Sequence, residues 1–300
     1  VSDSISVEFV LVGGDLVAHH SALSLESASQ LYNIVGNVSR VFSSAFPEQS
    51  KAGQISFSSI GNSDLLTDYI LNLTKGETSN SELEMWEGAL RRGCATALGA
   101  GFTHGGYFEQ EHGGITILHL NTVMYSIFAA ATENDPSDQF SWLRARLVAS
   151  TRRERVVWIV GHIAPGIEAY AYTELWHSAY VHQYLEIVQD PAVSHVIAAQ
   201  LFGHTHSDEF RILPEVTGDG GPLLVAGSLS PIYGSIPSFH VVEYSASSGR
   251  LLDITMYSTD LSSITSDVIS WSHTYQMTDH AVLRSFREQT GYLTNDAYLQ

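Results

Sequence analysis

Val196-Ile197-Ala198-Ala199-Gln200-Leu201-Phe202-Gly203-His204-Thr205-His206-Ser207-Asp208-Glu209-Phe210 is an apolar run that stops at Gly203 and then presents two histidines one residue apart. The run predicts a buried strand, and the glycine predicts where it turns. On extended backbone, residues two apart point to the same side, so both imidazoles are expected to address one metal cluster. Two further runs end alike. Val156-Val157-Trp158-Ile159-Val160 leads to Gly161-His162, and Val7-Glu8-Phe9-Val10-Leu11-Val12 leads to Gly13-Gly14-Asp15. Three strand ends of this kind would place three ligand-type residues at the carboxyl edge of one sheet, where α/β folds usually build their sites.

Working outward, residues 21–46 carry Leu25, Ala28, Leu31, Tyr32, Val35, Val38, Phe42 and Phe46 at steps of three and four, a helix with one buried face that Gly36 interrupts mildly. Ile55 to Ile60 alternates as a short strand ending at Gly61-Asn62-Ser63-Asp64, and residues 114–120 form a strand that reaches Asn121. Phe140 to Val148 reads as a helix capped by Ser137 or Asp138, and Trp176, Tyr180, Tyr184, Ile187 and Val188 mark another. Helices alternating with strands predict an α/β sheet with helices on its faces. From Leu223 the pattern turns to strands, Leu223 to Ala226 and Phe239 to Tyr244. The final stretch, with Trp271, Tyr275, Phe286 and Tyr292, reads as helical. The expected division is a main domain over residues 1–258 and a small helical lobe over 259–300.

Composition narrows the function. Three hundred residues, 44% of them hydrophobic, suffice for a substantial core. Fourteen basic residues against 32 acidic give a charge of −18, with Lys51 and Lys75 the only lysines, so extended nucleic-acid binding is disfavoured. The single cysteine, Cys94, excludes a disulfide within the chain and reads as a small buried hydrophobe. No stretch reaches the roughly 18 apolar residues of a membrane span. Asn37-Val-Ser and Asn72-Leu-Thr match the N-glycosylation acceptor and point to a secretory route, secreted or in a lysosomal or vacuolar lumen. Val1, neither Met nor part of a signal, reads as a processed or truncated end.

Taken in order, the ligand-bearing turns are Gly14-Asp15, Gly61-Asn62, Gly161-His162 and Gly203-His204-Thr205-His206. The set resembles the calcineurin-like metallophosphoesterases and, within them, the acid sphingomyelinase-like phosphodiesterases. Blocks similar to that family are Gly14 to His19, Gly161-His162-Ile163-Ala164-Pro165-Gly166, Phe202 to Phe210, Leu120-Asn121-Thr122, Pro231-Ile232-Tyr233 and Pro237 to Tyr244. The resemblance implies a β-sandwich flanked by helices and a hydrolase of phosphoric esters that uses two divalent metals, expected to be zinc. It implies that Asp15 bridges the metals, that Asn62 binds the second metal and a phosphate oxygen, that His162 and His204 complete the second metal's own ligand set, and that His206 ligates the first metal. A hydroxide bridging the metals would attack phosphorus, and His19 would protonate the leaving group. The expected substrate is a small phosphodiester or phospholipid, with a nucleotide or polyphosphate as the alternative.

Two departures from the family pattern matter. The opening Asp-x-His motif has no counterpart upstream of Gly14-Asp15, since Ser2-Asp3-Ser4-Ile5 lacks the histidine; either the chain lacks its first strand, the reading preferred here, or its first metal site is impaired. Ser63 stands where many relatives have histidine, which leaves His19 with more of the acid work. Both departures keep open a catalytically inactive binding protein on the same fold. His20 competes with His19 at a less fitting spacing. His104, His112 and His119 are expected to be loop or core residues rather than ligands, and Tyr125 and Tyr233 either line the cleft or sit in the core.

Overall fold

The computed structural model describes residues 6–18, 28–73, 78–93, 98, 101–130, 133–211, 221–263 and 269–279. Its strands are β1 (Val10–Val12), β2 (Ile55–Phe57), β3 (Phe108–His112), β4 (Ile115–His119), β5 (Val156–Ile163), β6 (Ile197–Gly203), β7 (Glu209–Arg211), β8 (Leu223–Val225), β9 (Ser238–Tyr244), β10 (Leu251–Ser258) and β11 (Ser272–Gln276). The helices are α1 (Ala28–Ala45), α2 (Pro47–Lys51), α3 (Ser81–Leu90), α4 (Phe102–Gly105), α5 (Gln139–Arg152) and α6 (Ser178–Val188).

Successive side chains of β5 leave the strand on opposite faces, and both faces are apolar. Val157 and Ile159 join a core that includes Phe140, Leu143 and Leu147 of α5 and Tyr184 and Val188 of α6. Trp158 and Val160 join a second core with Ile115, Ile117 and Ala198, against which Phe9, Leu11, Val242, Tyr244 and Leu251 pack. A strand buried on both sides therefore separates helices from a facing sheet, which is why its sequence is continuously apolar. β5 lies within a six-stranded sheet of order β3-β4-β5-β6-β8-β7. The four inner strands are parallel and the two edge strands antiparallel to them. The parallel pair β1-β2 contributes side chains to both cores, and the antiparallel trio β11-β10-β9 packs on the second. The expected mixed α/β architecture of facing sheets with flanking helices is what the chain adopts.

Local chemistry accounts for the helices. α1 buries Leu31, Tyr32, Val35, Gly36 and Ser39 as one stripe. At Gly36 a Cβ would come 3.1 Å from the Ala89 carbonyl of α3, so this glycine is the point of close helix approach. The cap of α5 differs from expectation. Ser137 and Asp138 have φ of 52° and 56°, and neither side chain reaches the helix. Asp135 does the capping instead, accepting from Phe140 N at 2.7 Å and Ser141 N at 3.0 Å.

The lobe expected over 259–300 is corrected over part of its length. Residues 272–276 form strand β11, paired with β10 from Thr255↔Gln276 to Ser258↔Ser272, so pairing crosses the expected boundary. Trp271 and Tyr275 are four apart, a spacing that keeps two residues on one side of a helix or of a strand, which is why the periodicity misled. Trp271 packs edge-on against Phe239, ring centroids 5.0 Å apart. Residues 280–300, with Phe286 and Tyr292, lie outside the described residues, as does Cys94. No helix among the described residues is long and apolar enough to cross a membrane.

Between the sheets runs a cleft of ≈ 1320 Å³, lined by every residue from 6 to 13 and from 238 to 244. Side chains alternate along a strand, so contact with every residue means that β1 and β9 turn their backbone edges toward the cleft. Among the described residues β1 pairs with β2 alone and β9 with β10 alone.

His119 illustrates how the core handles a polar residue. It is fully buried, stacks on Phe108 with centroids 4.1 Å apart, and gives its Nδ1 proton to the Ser58 carbonyl at 3.0 Å. Burial depresses its pKa to about 3, against the Ser58 contact, which favours the charged form. The unfolded chain therefore binds a proton here that the folded chain refuses. Stability is fully present above about pH 6.5 and is lost as pH falls toward 3, by about 1.4 kcal/mol per unit. Urea midpoints measured from pH 7 to 4 are expected to fall less steeply for His119→Gln than for the parent; identical slopes would mean that His119 is not held neutral.

Candidate metal centre

Asp15, Asn62, His162 and His204, four residues from separate segments of the chain, come together, His162 from near the end of β5 and the others from turns that follow strands. His162 Nε2 lies 3.2 Å from Asp15 Oδ2, 3.2 Å from Asn62 Oδ1 and 3.3 Å from His204 Nδ1. The donor atoms of Asp15, His162 and His204 all lie within 4.8 Å of one another. Bonds of 2.0–2.1 Å in tetrahedral array have ligand-to-ligand edges of about 3.3 Å, so these separations suit one small divalent cation.

Each donor is aimed by its surroundings. His162 gives its Nδ1 proton to the Gly13 carbonyl at 2.8 Å, leaving Nε2 for the cluster. β5 does not end at Gly161 as the sequence suggested but runs on through His162 to Ile163, with a register shift between Val160 and Ile163. Where the ladder is interrupted, Thr122 Oγ1 accepts from His162 N at 3.1 Å and from Ile163 N at 2.8 Å. Asp15 has φ 53°, and its Oδ1 accepts from Ser63 N at 2.9 Å. Asp64 joins the two acidic turns: Oδ1 accepts from Leu16 N at 2.7 Å and Val17 N at 3.2 Å, and Oδ2 from Gly61 N at 2.9 Å.

The electrostatics follow. Burial opposes ionisation of Asp15, yet the charge and hydrogen bond of His162, with Ser63 N–H and His204, hold its carboxyl below the ordinary range. Burial opposes a proton on His162, yet Asp15, the Gly13 carbonyl and Asp64 raise its pKa. Any cation taken up here competes with that proton. Burial and the neighbouring charge of Asp15 push Asp64 up to about 7, against the pull of its backbone donors.

The backbone at the two histidines is not extended. His204 has φ 75° and His206 φ 57°, with Thr205 N bonded to the Gly203 carbonyl at 3.0 Å. This tight turn removes the alternation on which the same-side expectation rested. His204 joins Asp15 and His162, while His206, outside that group of three, lies near the exposed Tyr233, ring centroids 5.8 Å apart. His19 and His20 lie outside the described residues. Tyr125 is core, fully buried and bonded to Gln139. Thr122 and Asp64 are supporting residues that stand in quoted stretches but received no role from motif reading.

No family model matches the chain. Among curated proteins it is 31% identical over 211 residues to a sphingomyelinase phosphodiesterase D of Dictyostelium discoideum, covering 67% of this chain and 47% of that protein. It is 26% identical to a cyclic GMP-AMP phosphodiesterase of Bos taurus (84% and 56% covered) and 26% identical to the acid sphingomyelinase-like phosphodiesterase 3b of Homo sapiens (91% and 61%). The chain thus spans roughly half of the length of these relatives. Among solved structures it is similar to a dimetal phosphatase from Danio rerio, with TM-score 0.47, 12% identity, and 90% and 82% of the two chains covered.

Proposed function

We propose that the chain, which is similar to acid sphingomyelinase-like phosphodiesterases, belongs with them and hydrolyses small phosphoric diesters with two divalent cations. Asp15 would serve both cations, Asn62, His162 and His204 would hold one of them, and His206 would serve the other. The observation that carries this reading is the convergence of Asp15, Asn62 and His204 on His162 Nε2 at 3.2–3.3 Å. A donor set of imidazole, carboxylate and amide oxygen suits zinc. Bound there, the cations supply Lewis acidity toward a phosphoryl oxygen and an acidified water. The chain's own part is to hold the donors, to offer Asn62 to a phosphate oxygen, and to supply a proton from His19 to the departing alkoxide.

The surrounding charge fits a small substrate. A chain with 14 basic against 32 acidic residues repels polyanions, and the cleft leading to the cluster is lined largely by apolar strands. Relatives named for sphingomyelin and for cyclic GMP-AMP bracket the class as lipid or nucleotide diester. A secretory or lysosomal location belongs to the same reading and is supported by the exposed Asn72 of one acceptor triplet.

The test is hydrolysis by the zinc-loaded chain of a bis-nitrophenyl diester and of an alkyl diester. The parent is expected to cleave both, and His19→Ala to slow the alkyl diester by roughly a hundred- to ten-thousandfold while nearly sparing the nitrophenyl ester, whose leaving group needs little protonation. Equal losses on both would remove the acid role from His19. Bound metal without turnover on any diester would favour the binding-protein reading instead.

A further inference from the structure

Resting on that metal reading, we propose that the turn at residues 67–70 positions the amide of Asn62, with Asp68 as the residue that aims it. A carboxamide has two ends, and only the oxygen is a ligand for a cation. Asn62 is fully buried, so solvent does not choose between the ends. Its Nδ2 donates to Asp68 Oδ1 at 2.8 Å, and its Oδ1 lies 3.2 Å from His162 Nε2. A carboxylate only accepts. A rotated amide would set its oxygen against that of Asp68 and turn its NH2 toward the metal donors, so the charge of Asp68 selects the orientation that ligation needs.

The chain goes to some trouble to bring Asp68 there. Residues 67–70 close a tight turn, Ile70 N to the Thr67 carbonyl at 2.9 Å, and Tyr69 N reaches back to the Asn62 carbonyl at 3.4 Å. Tyr69 has φ 62°, left-handed backbone that a residue with a Cβ adopts at a cost. Its ring meets His204 edge-on at 6.1 Å and packs on Phe128 at 4.9 Å between centroids. A single turn thereby touches two of the four convergent groups, the amide through Asp68 and the imidazole of His204 through Tyr69.

The experiment is titration of the full chain with cobalt(II), read by visible absorption, for the parent, Asp68→Ala, Asp68→Asn and the same alanine change in an Asn62→Ala background. Asp68→Ala is expected to weaken cobalt binding by roughly 10–100-fold, the range for partners that orient metal ligands, and to alter the spectrum as the amide oxygen leaves the shell. Asp68→Asn is expected to recover only part of the loss, because its amide oxygen can accept from Asn62 Nδ2 but its NH2 can equally donate to a turned-over Asn62 amide. Without Asn62, Asp68→Ala is expected to cost no more than about twofold, the non-additivity of two residues acting through one contact. Parent-like affinity and spectrum in Asp68→Ala, or equal losses with and without Asn62, overturn the proposal while the metal reading stands. A parent chain that takes up no cobalt overturns both. Asp68 is only partly buried in an exposed turn, and thermal unfolding of each variant separates lost folding from lost binding.

Discussion

His162→Ala is expected to empty the cluster. His162 Nε2 is the atom on which the Asp15, Asn62 and His204 donors converge, at 3.2, 3.2 and 3.3 Å. Removing it deletes a nitrogen ligand and takes from the buried Asp15 carboxylate the neighbour that does most to stabilise it, leaving Ser63 N–H and the weaker influence of His204. Metal affinity should fall by more than the roughly 10–100-fold typical of outer partners. Turnover should fall with it, by about a thousandfold or more if the cations supply several kcal/mol of charge stabilisation. Elemental analysis alongside initial rates checks this. Full metal content with lost turnover would remove His162 from the ligand set.

Gly61→Ala is the second large effect, and it acts through sterics alone. A Cβ at residue 61 would sit 2.1 Å from Asp15 Oδ1, 2.2 Å from Asp15 N and 2.7 Å from its Cα, distances at which backbone must move. Gly14 is constrained reciprocally, its Cβ position being 2.7 Å from Gly61 N, so the two turns have been packed glycine against glycine. The expected cost is about 3 kcal/mol, the upper end for overpacking, together with loss of bound metal as Asp15 is pushed off the cluster. Gly88→Ala is the control. It lies in α3 with nothing within 4 Å of its Cβ, and the exchange there should stabilise by about 0.5–1 kcal/mol. Denaturant unfolding of the two variants distinguishes them; similar small shifts would show that the 13–17 and 61–64 turns are free to separate.

Much of this was legible before any coordinates, for a physical reason. Burial on both faces writes a continuous apolar run, as in Val156 to Val160, and the glycine that follows it at Gly161 leaves room for Phe202 and Thr122, which a Cβ would meet at 2.7 and 2.8 Å. Sequence therefore locates the strand ends and the residues delivered from them. What it does not carry is the direction of a side chain leaving a turn: His204 and His206 have left-handed backbones, so strand alternation does not decide where their imidazoles point. Nor does it reveal partners far apart in the chain. Thr122 supports the backbone at His162 forty residues on, and Asp64 ties down Leu16 and Val17, 48 and 47 residues before it. Such contacts leave no periodic trace. The C-terminal strand was lost to an even spacing that two kinds of structure share.

The edges of β1 and β9 that border the inter-sheet cleft carry a consequence for how the chain behaves in solution. Strand edges with open hydrogen-bonding groups beside apolar side chains are templates on which a second molecule can lay an extended segment, the usual beginning of edge-to-edge aggregation. Nearby acidic residues such as Glu8 and Glu243 act as gatekeepers, and the overall charge of −18 keeps copies apart at low ionic strength. Salt shortens that repulsion to about 8 Å at physiological strength. Among the described residues these edges have no further strand partner, so added salt is expected to favour self-association of the chain, which light scattering over a salt series checks.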